Sequence, residues 1–411
     1  MKIIFSHPTL NANAKAVVSG LHKYHLLGKL FTAVAIFKGQ FLYVLSQYFL
    51  KDFQKRVLNK KWQSYTKTQP FYELGRVLFS KLKWRYFTTH ESGLFCIDSV
   101  YQKQDHKVAR FLHKKSKTQF AAVYAYEDGA LHSFETAKSK GLQCFYDLPI
   151  GYWKMARKLL SEELENNPDW ASTLTGFKDS TEKLNRKDAE LTLADQIFVA
   201  STFTKKSLEL YPNKLAPVQV IPYGFPEVCT NRIYTPLRGR KLKALFVGGL
   251  SQRKGISYMF EALAGLEDRI SLTVVGHKAD PNSEALNSAL HKHTYIPSLA
   301  HQAVLELMRS QDVLLFPSLF EGFGLVITEA MSQGLPVITT NRTAGPDLIT
   351  HGLDGWLVPA ASSAAIKKVL LEILKTPSLL KTTGRNAMRK AENRPWAVYE
   401  KEQAEALKKL L

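Results

Sequence analysis

Residues 312–336 read DVLLFPSLFEGFGLVITEAMSQGLP. Val313 to Phe316 is a short apolar run of the kind that forms a buried strand. Pro317 and Ser318 stop it, and Gly322 and Gly324 allow a tight bend. From about Leu325 the spacing becomes helical, and Gly334 followed by Pro336 is an ordinary helix stop. Pro336-Val337-Ile338-Thr339-Thr340 then reads as the next strand. Strand, glycine-rich turn, helix and strand together place backbone N–H groups and the positive helix end at the C-terminal edge of a parallel sheet, where anions bind.

Two carboxylates bracket the turn. Glu321 lies in the loop and Glu329 follows inside the helix, a separation worth about 12 Å of helical rise. One can meet the reacting end of a ligand and the other its far end. Taken alone, a loop acid and a helix acid near a positive N-terminus are ordinary surface chemistry. A charge set against Gly-Phe-Gly at a strand-to-helix junction is a costly placement without a use.

Ser318-x-x-Glu321-Gly322-Phe323-Gly324, followed by Glu329-Ala330, resembles the signature of the retaining glycosyltransferases of family 4, which have the GT-B fold. The resemblance implies that Glu321 lies against a donor sugar and that Glu329 holds the nucleotide ribose. Phe246-Val247-Gly248-Gly249-Leu250-Ser251-Gln252-Arg253-Lys254-Gly255 is again strand, glycine turn and helix start. There Gly248 and Gly249 let the backbone approach a ligand, and Arg253 and Lys254 offer two cations to a diphosphate. Such a pair is often only a solvated helix start. It resembles the family's diphosphate pair, and Ala194–Ser201 and Val220–Gly224 resemble further landmarks. The resemblance is firm from about residue 186 to 400 and architectural before that.

At 411 residues the chain is long enough for two cored domains. Cys96, Cys144 and Cys229 are too far apart for metal spacing, so a reducing compartment without disulfides is expected. The start, MKIIFSHPTL, lacks the apolar core of a signal peptide. Lys29 and Lys38 interrupt the best candidate membrane span. A cytoplasmic protein, peripheral on a membrane at most, is expected. The net charge is +20. Residues 1–190 hold 30 Lys+Arg against 17 Asp+Glu, and residues 191–411 hold 26 against 19, so the excess leans to the N-terminal half. Such charge suits an anionic substrate or membrane. No arginine-rich run, finger spacing or RNA-binding aromatic signature supports nucleic acid.

In chain order, Lys2–Ser6, Leu30–Phe37, Phe120–Tyr126, Gly141–Asp147, Ala194–Ala200 and Val218–Ile221 read as strands. Helices are expected from Asn11 to Tyr24, over Phe41–Leu58, through much of residues 62–90, and over Tyr152–Leu164, Glu182–Thr192 and Lys205–Leu210. Phe95–Tyr101 is open between strand and helix end. A second alternation runs through strands Lys243–Val247, Ile270–Val275, Thr294–Ile296, Val313–Phe316 and Trp356–Val358. Alternation of this kind means parallel, doubly wound sheets. The expected fold is α/β, with two Rossmann-like sheets facing across a cleft. Residues 1–224 would form the acceptor-side domain and 225–395 the donor-side domain, and helix 396–411 would return to the first.

The N-terminal half departs from the family pattern. The glycine pair after the first strand is replaced by His7-Pro8-Thr9-Leu10-Asn11, the usual histidine after the fourth strand by Tyr146-Asp147-Leu148-Pro149, and the interdomain asparagine by Tyr223. His7 is a catalytic candidate at a strand end. Asp147 either faces the donor sugar or caps the next turn. His291 and His293 flank a lysine with no third metal ligand in sight.

The expected function is a retaining glycosyltransferase carrying sugar from a nucleotide-sugar donor to an envelope glycan or lipid-linked acceptor. Glu321, His7 and Asp147 are its catalytic candidates. Gly249, Arg253, Lys254, Ile296, Gly322, Phe323, Gly324, Leu325 and Glu329 are its donor contacts. No metal or other cofactor is expected, because no Asp-x-Asp is suitably placed. The alternatives are a sugar-nucleotide epimerase or phosphorylase of the same fold, or a non-catalytic membrane-associated scaffold. An anionic membrane contact is expected at Phe41–Leu58, with Lys51, Lys55, Arg56, Lys60, Lys61 and Trp62, and at residues 76–86.

Overall fold

The structure, a computed structural model, describes residues 1–40, 43, 44, 46, 51–114 and 120–411. The strands are β1 (Ile3–Ser6), β2 (Leu27–Thr32), β3 (Ile36–Phe37), β4 (Val57–Leu58), β5 (Thr66–Thr68), β6 (Ala122–Tyr126), β7 (Gln143–Leu148), β8 (Gln196–Val199) and β9 (Val218–Val220). Among the described residues a seven-stranded sheet runs β5-β2-β1-β6-β7-β8-β9, and every pairing is parallel. The second series is β10 (Leu242–Val247), β11 (Ile270–Val275), β12 (Thr294–Ile296), β13 (Val313–Phe316), β14 (Val337–Thr340) and β15 (Trp356–Val358). These form a six-stranded parallel sheet in the order β12-β11-β10-β13-β14-β15.

In each sheet the strand order reverses beside the first strand, between β1 and β6 and between β10 and β13. Crevices at such switch points, outside the strands' C-terminal ends, are where open α/β sheets bind ligands. Strands β1, β6, β13 and β14 are wholly buried, as parallel strands covered by helices on both faces must be. Their continuous apolar runs are what made them readable.

The first half corrects several expectations. The predicted strand Leu30–Phe37 is two strands. The chain leaves the main sheet at Ala33, whose N–H donates to Pro8 O, and Ile36–Phe37 then pairs with Val57–Leu58. The predicted helix Phe41–Leu58 lies in part outside the described residues. Its end is instead a 3-10 helix, Lys51–Arg56, and the strand β4. Residues 62–90 are not one helical stretch: the 3-10 helix Lys60–Tyr65 precedes the edge strand β5, then the helix Pro70–Lys81 and a single turn, Arg85–Thr88. The open stretch at Phe95 leads into the helix Ile97–His113, which the Cys96 side chain caps on Ser99 N. The helix Leu131–Ser139 was not anticipated.

After Pro222-Tyr223-Gly224 the chain enters the second sheet, and it returns at the end. Arg394 donates to Pro222 O at 2.6 Å, and Phe225 N to Arg394 O at 2.9 Å. The last helix, Trp396–Leu410, lies on the helix Ala12–Lys23 so closely that a Cβ on Gly20 would stand 2.5 Å from Glu400 O. Gln403 reaches Tyr124 of β6 at 3.1 Å. The two halves also meet at the Glu321 loop. Ser201 and Thr204 hydroxyls both donate to Gly322 O, and Phe203 packs edge-on against Phe320. Beside them, Gln252 N donates to Thr173 Oγ1 and the Gln252 amide to Glu163.

Candidate functional site

The site grows from loops at the C-terminal edge of the second sheet. After β10 the chain passes through Gly248 at φ +155°, and after β11 through Gly276 at φ +148°. A Cβ on Gly276 would stand 1.8 Å from Gly248 O, so these loops meet backbone to backbone. Arg253 and Lys254 occupy the one-turn helix Gln252–Lys254. That turn is fixed to the loop after β13: Leu319 N donates to Arg253 O at 2.9 Å. The residues after β10 are thereby registered on those leading to Glu321.

The result is a charge triad. Lys254 bonds the Glu321 carboxylate, and Arg253 Nη1 lies 3.3 Å from the same oxygen while donating to Phe320 O at 2.8 Å. The Glu321 side chain is 15% exposed and Lys254 11%, so the triad is largely shielded from water. Burial pushes the Glu321 carboxyl up, but Lys254 and Arg253 together outweigh it and hold it below the usual range. Burial pushes the Lys254 ammonium down, with Glu321 opposing and Arg253 assisting. Its ammonium also lies 4.9 Å from the centre of the Phe316 ring. Two cations against one carboxylate leave the triad with one positive charge to offer an anion.

The loop after β14 completes the turn. Glu321 N donates to Arg342 O at 3.1 Å and Ala344 N to Phe323 O at 3.0 Å. Gly324 takes φ +89° and opens the helix Leu325–Ser332. Gly249, Arg253, Lys254, Gly322, Gly324 and Leu325 thus gather at one end of the sheet. Glu329 stands apart on the helix and pairs with His301 at 3.0 Å. Ile296 ends β12, and its carbonyl accepts from Gly276 N at 3.0 Å. Phe323 differs from its expected use: it is buried, with its ring 4.7 Å from Tyr223 in the interdomain linker. The Ser318 hydroxyl, the first residue of the motif, is buried without a hydrogen-bond partner.

On the N-terminal side His7 is buried. Its Nδ1 accepts from Thr9 N and Leu10 N at 3.1 and 2.9 Å, so the ring proton belongs on Nε2. Burial, reinforced by the Arg56 cation, pushes its pKa down to about 3, and it stays neutral. Its ring stands edge-on to Tyr126 at 4.5 Å. Asp147 corrects the sequence reading, since it neither caps a turn nor opens on the cleft. It is buried opposite Tyr126 in the β6–β7 register, and Tyr124 donates to its carboxylate at 2.6 Å. Burial pushes its pKa up to about 7.

Sequence reading missed a charge cluster just past β6. Glu127 and Asp128 there meet Lys183, Arg186 and Lys187 from the helix Thr181–Leu193, with Asp98 and Asp179 alongside. Three cations spaced i, i+3, i+4 on one helix were the available signal. His90, Glu91 and Asp179 place ligand atoms within 4.8 Å of one another. Lys183 and Lys187 already pair with Asp179 at 3.0 and 3.3 Å and supply the charge a metal would bring. His293 of the predicted histidine pair stacks on Phe260 at 5.5 Å.

Residues 230–390, which carry the glycine turns, the triad and both glutamates, match the family Glycosyl transferases group 1. The chain is similar to that family over this segment. A phosphatidyl-myo-inositol mannosyltransferase of Mycobacterium leprae is 32% identical over 141 residues, 33% of this chain and 38% of that protein. The capsular polysaccharide biosynthesis glycosyltransferase CapM of Staphylococcus aureus is 25% identical over 246 residues, 54% of this chain and 63% of CapM. The chain thus spans less than two-thirds of these relatives. Anabaena Alr3699/HepE, solved in complex with UDP, superposes over 100% of both chains with TM-score 0.64 at 16% identity. Sucrose-phosphate synthase of Thermosynechococcus elongatus gives TM-score 0.63 at 18% identity, over 78% of this chain and 82% of that one. These likenesses and the two doubly wound sheets make the fold GT-B.

Proposed function

We propose that the protein is a retaining glycosyltransferase that moves a sugar from a nucleoside-diphosphate donor to a glycan or lipid-linked acceptor. The Arg253–Lys254–Glu321 triad carries this reading. A donor diphosphate at the Gly248–Gly249 turn competes with Glu321 for the two cations. As the sugar–phosphate bond loosens, negative charge grows on the leaving diphosphate, and preorganised cations in a shielded site are most effective there. Released from them, Glu321 faces the reacting carbon and stabilises its growing positive charge. The N-terminus of the helix Leu325–Ser332 adds backbone donors, and Glu329 holds the ribose. Two cations so placed do the work of a divalent metal, and the reaction proceeds without one.

Support comes from the family match over the residues that build the triad and from a similarly folded protein solved with UDP. An epimerase or phosphorylase has no observation of its own in its favour. A non-catalytic scaffold has no use for a shielded triad with one positive charge in excess. The test is a screen of UDP-, GDP- and ADP-sugars for slow donor hydrolysis, which needs no acceptor. One donor is expected to be cleaved by wild type and far more slowly by Glu321→Gln. Cleavage of none, with no nucleotide diphosphate bound, would overturn the reading.

A further inference from the structure

The helix Pro70–Lys81 packs aromatic side chains on the residues after it and still leaves large apolar side chains exposed. Phe79 stacks on Phe95 at 5.1 Å and lies 4.4 Å from Phe87. Gly75 makes room there, since a Cβ on it would meet the Phe95 ring at 2.3 Å. Phe71, whose ring also meets Phe95 at 5.5 Å, is followed at helical spacing by Leu74 and Leu78, and then by Leu82. Their exposures are 64, 45, 54 and 49%. The chain then runs Lys81-Leu82-Lys83-Trp84-Arg85-Tyr86, all exposed, with Trp84 at 56% and Tyr86 at 83%. Trp84 is nevertheless anchored, its ring 5.6 Å from Phe79.

Six large apolar side chains exposed between residues 71 and 86, three of them resting on neighbouring aromatic rings, mark a binding face. What it binds follows from the charge around it. Lys81, Lys83 and Arg85 alternate with the apolar residues. Residues 1–126 hold 21 Lys+Arg against 5 Asp+Glu. Apolar and aromatic side chains interleaved with cations suit a surface that is apolar inside and anionic outside. A second copy of the chain would bring the same cations against these.

We infer that the face formed by Phe71, Leu74, Leu78, Leu82, Trp84 and Tyr86 docks on an anionic lipid bilayer, with Lys81, Lys83 and Arg85 on its headgroups. The face takes up residues 76–86 of the two stretches expected from sequence and adds Phe71 and Leu74, while nothing of it comes from Phe41–Leu58. It does not rest on the proposed catalytic function, so either can fail without the other.

The test is co-sedimentation of the full chain with phosphatidylcholine vesicles, with and without phosphatidylglycerol. Wild type is expected to pellet with the anionic vesicles at low salt and to be released as salt rises. Phe71→Ser, Leu74→Ser, Leu78→Ser and Trp84→Ser combined should lower binding tenfold or more at every salt concentration. Lys81→Glu, Lys83→Glu and Arg85→Glu combined should lower it chiefly at low salt. These side chains are exposed, and an unchanged melting temperature confirms that the variants fold. Wild type remaining in the supernatant, or either folded variant binding as well as wild type, overturns the inference. A concentration-dependent dimer that the serine variant abolishes overturns it in favour of self-association.

Discussion

Glu321 is held by the cations that a diphosphate would need, and that makes its substitution informative. Glu321→Gln keeps the shape but removes the charge that matters as positive charge develops. It should lower turnover by more than tenfold without weakening donor binding, since the two cations lose their competing carboxylate. Steady-state rates against donor concentration check this, and a variant keeping over a tenth of the rate, a loss under about 1.4 kcal/mol, removes Glu321 from that role. Asp147 gives a prediction of stability. Burial raises its folded pKa from 3.8 to about 7, so between those values the folded protein binds more protons than the unfolded chain. Its contribution therefore becomes increasingly unfavourable as pH rises through that window, and is constant above about 7. Asp147→Asn should raise melting temperature relative to wild type at pH 8 and less so at pH 4.5. A difference that does not vary with pH would contradict the assignment. Glu321 was legible because its neighbours form a motif within one loop. Asp147 was not, because the alternation of β7 gives two faces without saying which one Tyr124 and the final helix will cover.

At the scale of elements, the second sheet was readable strand by strand, and the first was readable except between β1 and β6. The second sheet's runs are short, apolar and bounded by glycine or proline. Between β1 and β6 the signals fail for physical reasons. Ala33 to Phe37 is as buried as β2 itself, so the strand end is set by the hydrogen bond from Ala33 N to Pro8 O. The edge strand Thr66-Lys67-Thr68 has no apolar pattern, and is a strand because Leu30–Thr32 offers it a ladder. The Glu321 loop is positioned by a contact with no sequence signal. A Cβ on Gly322 would stand 2.0 Å from Pro149 O, so the turn lies directly on the loop after β7. Gly322→Ala must push the two apart. It should lower donor turnover by tenfold or more while both domains remain folded, and scattering should show a larger radius of gyration. Activity within twofold of wild type would mean that this contact does not set the site's geometry.

Across the whole molecule, two sheets are tied by the returning chain, and the proposed reaction draws its positive charge from Arg253 and Lys254. Donor turnover should therefore survive EDTA, and a strict requirement for added magnesium or manganese would show that Arg253 and Lys254 are insufficient. No helix among the described residues is long and apolar enough to cross a membrane. The central claim is that Arg253 and Lys254 form a nucleoside-diphosphate site, and calorimetric titration of UDP, GDP and ADP tests it most directly. One of the three should bind wild type, and Arg253→Ala and Lys254→Ala should each weaken it at least tenfold, a change of about 1.4 kcal/mol. Absence of binding by all three, or equal affinity in a folded variant, would contradict it.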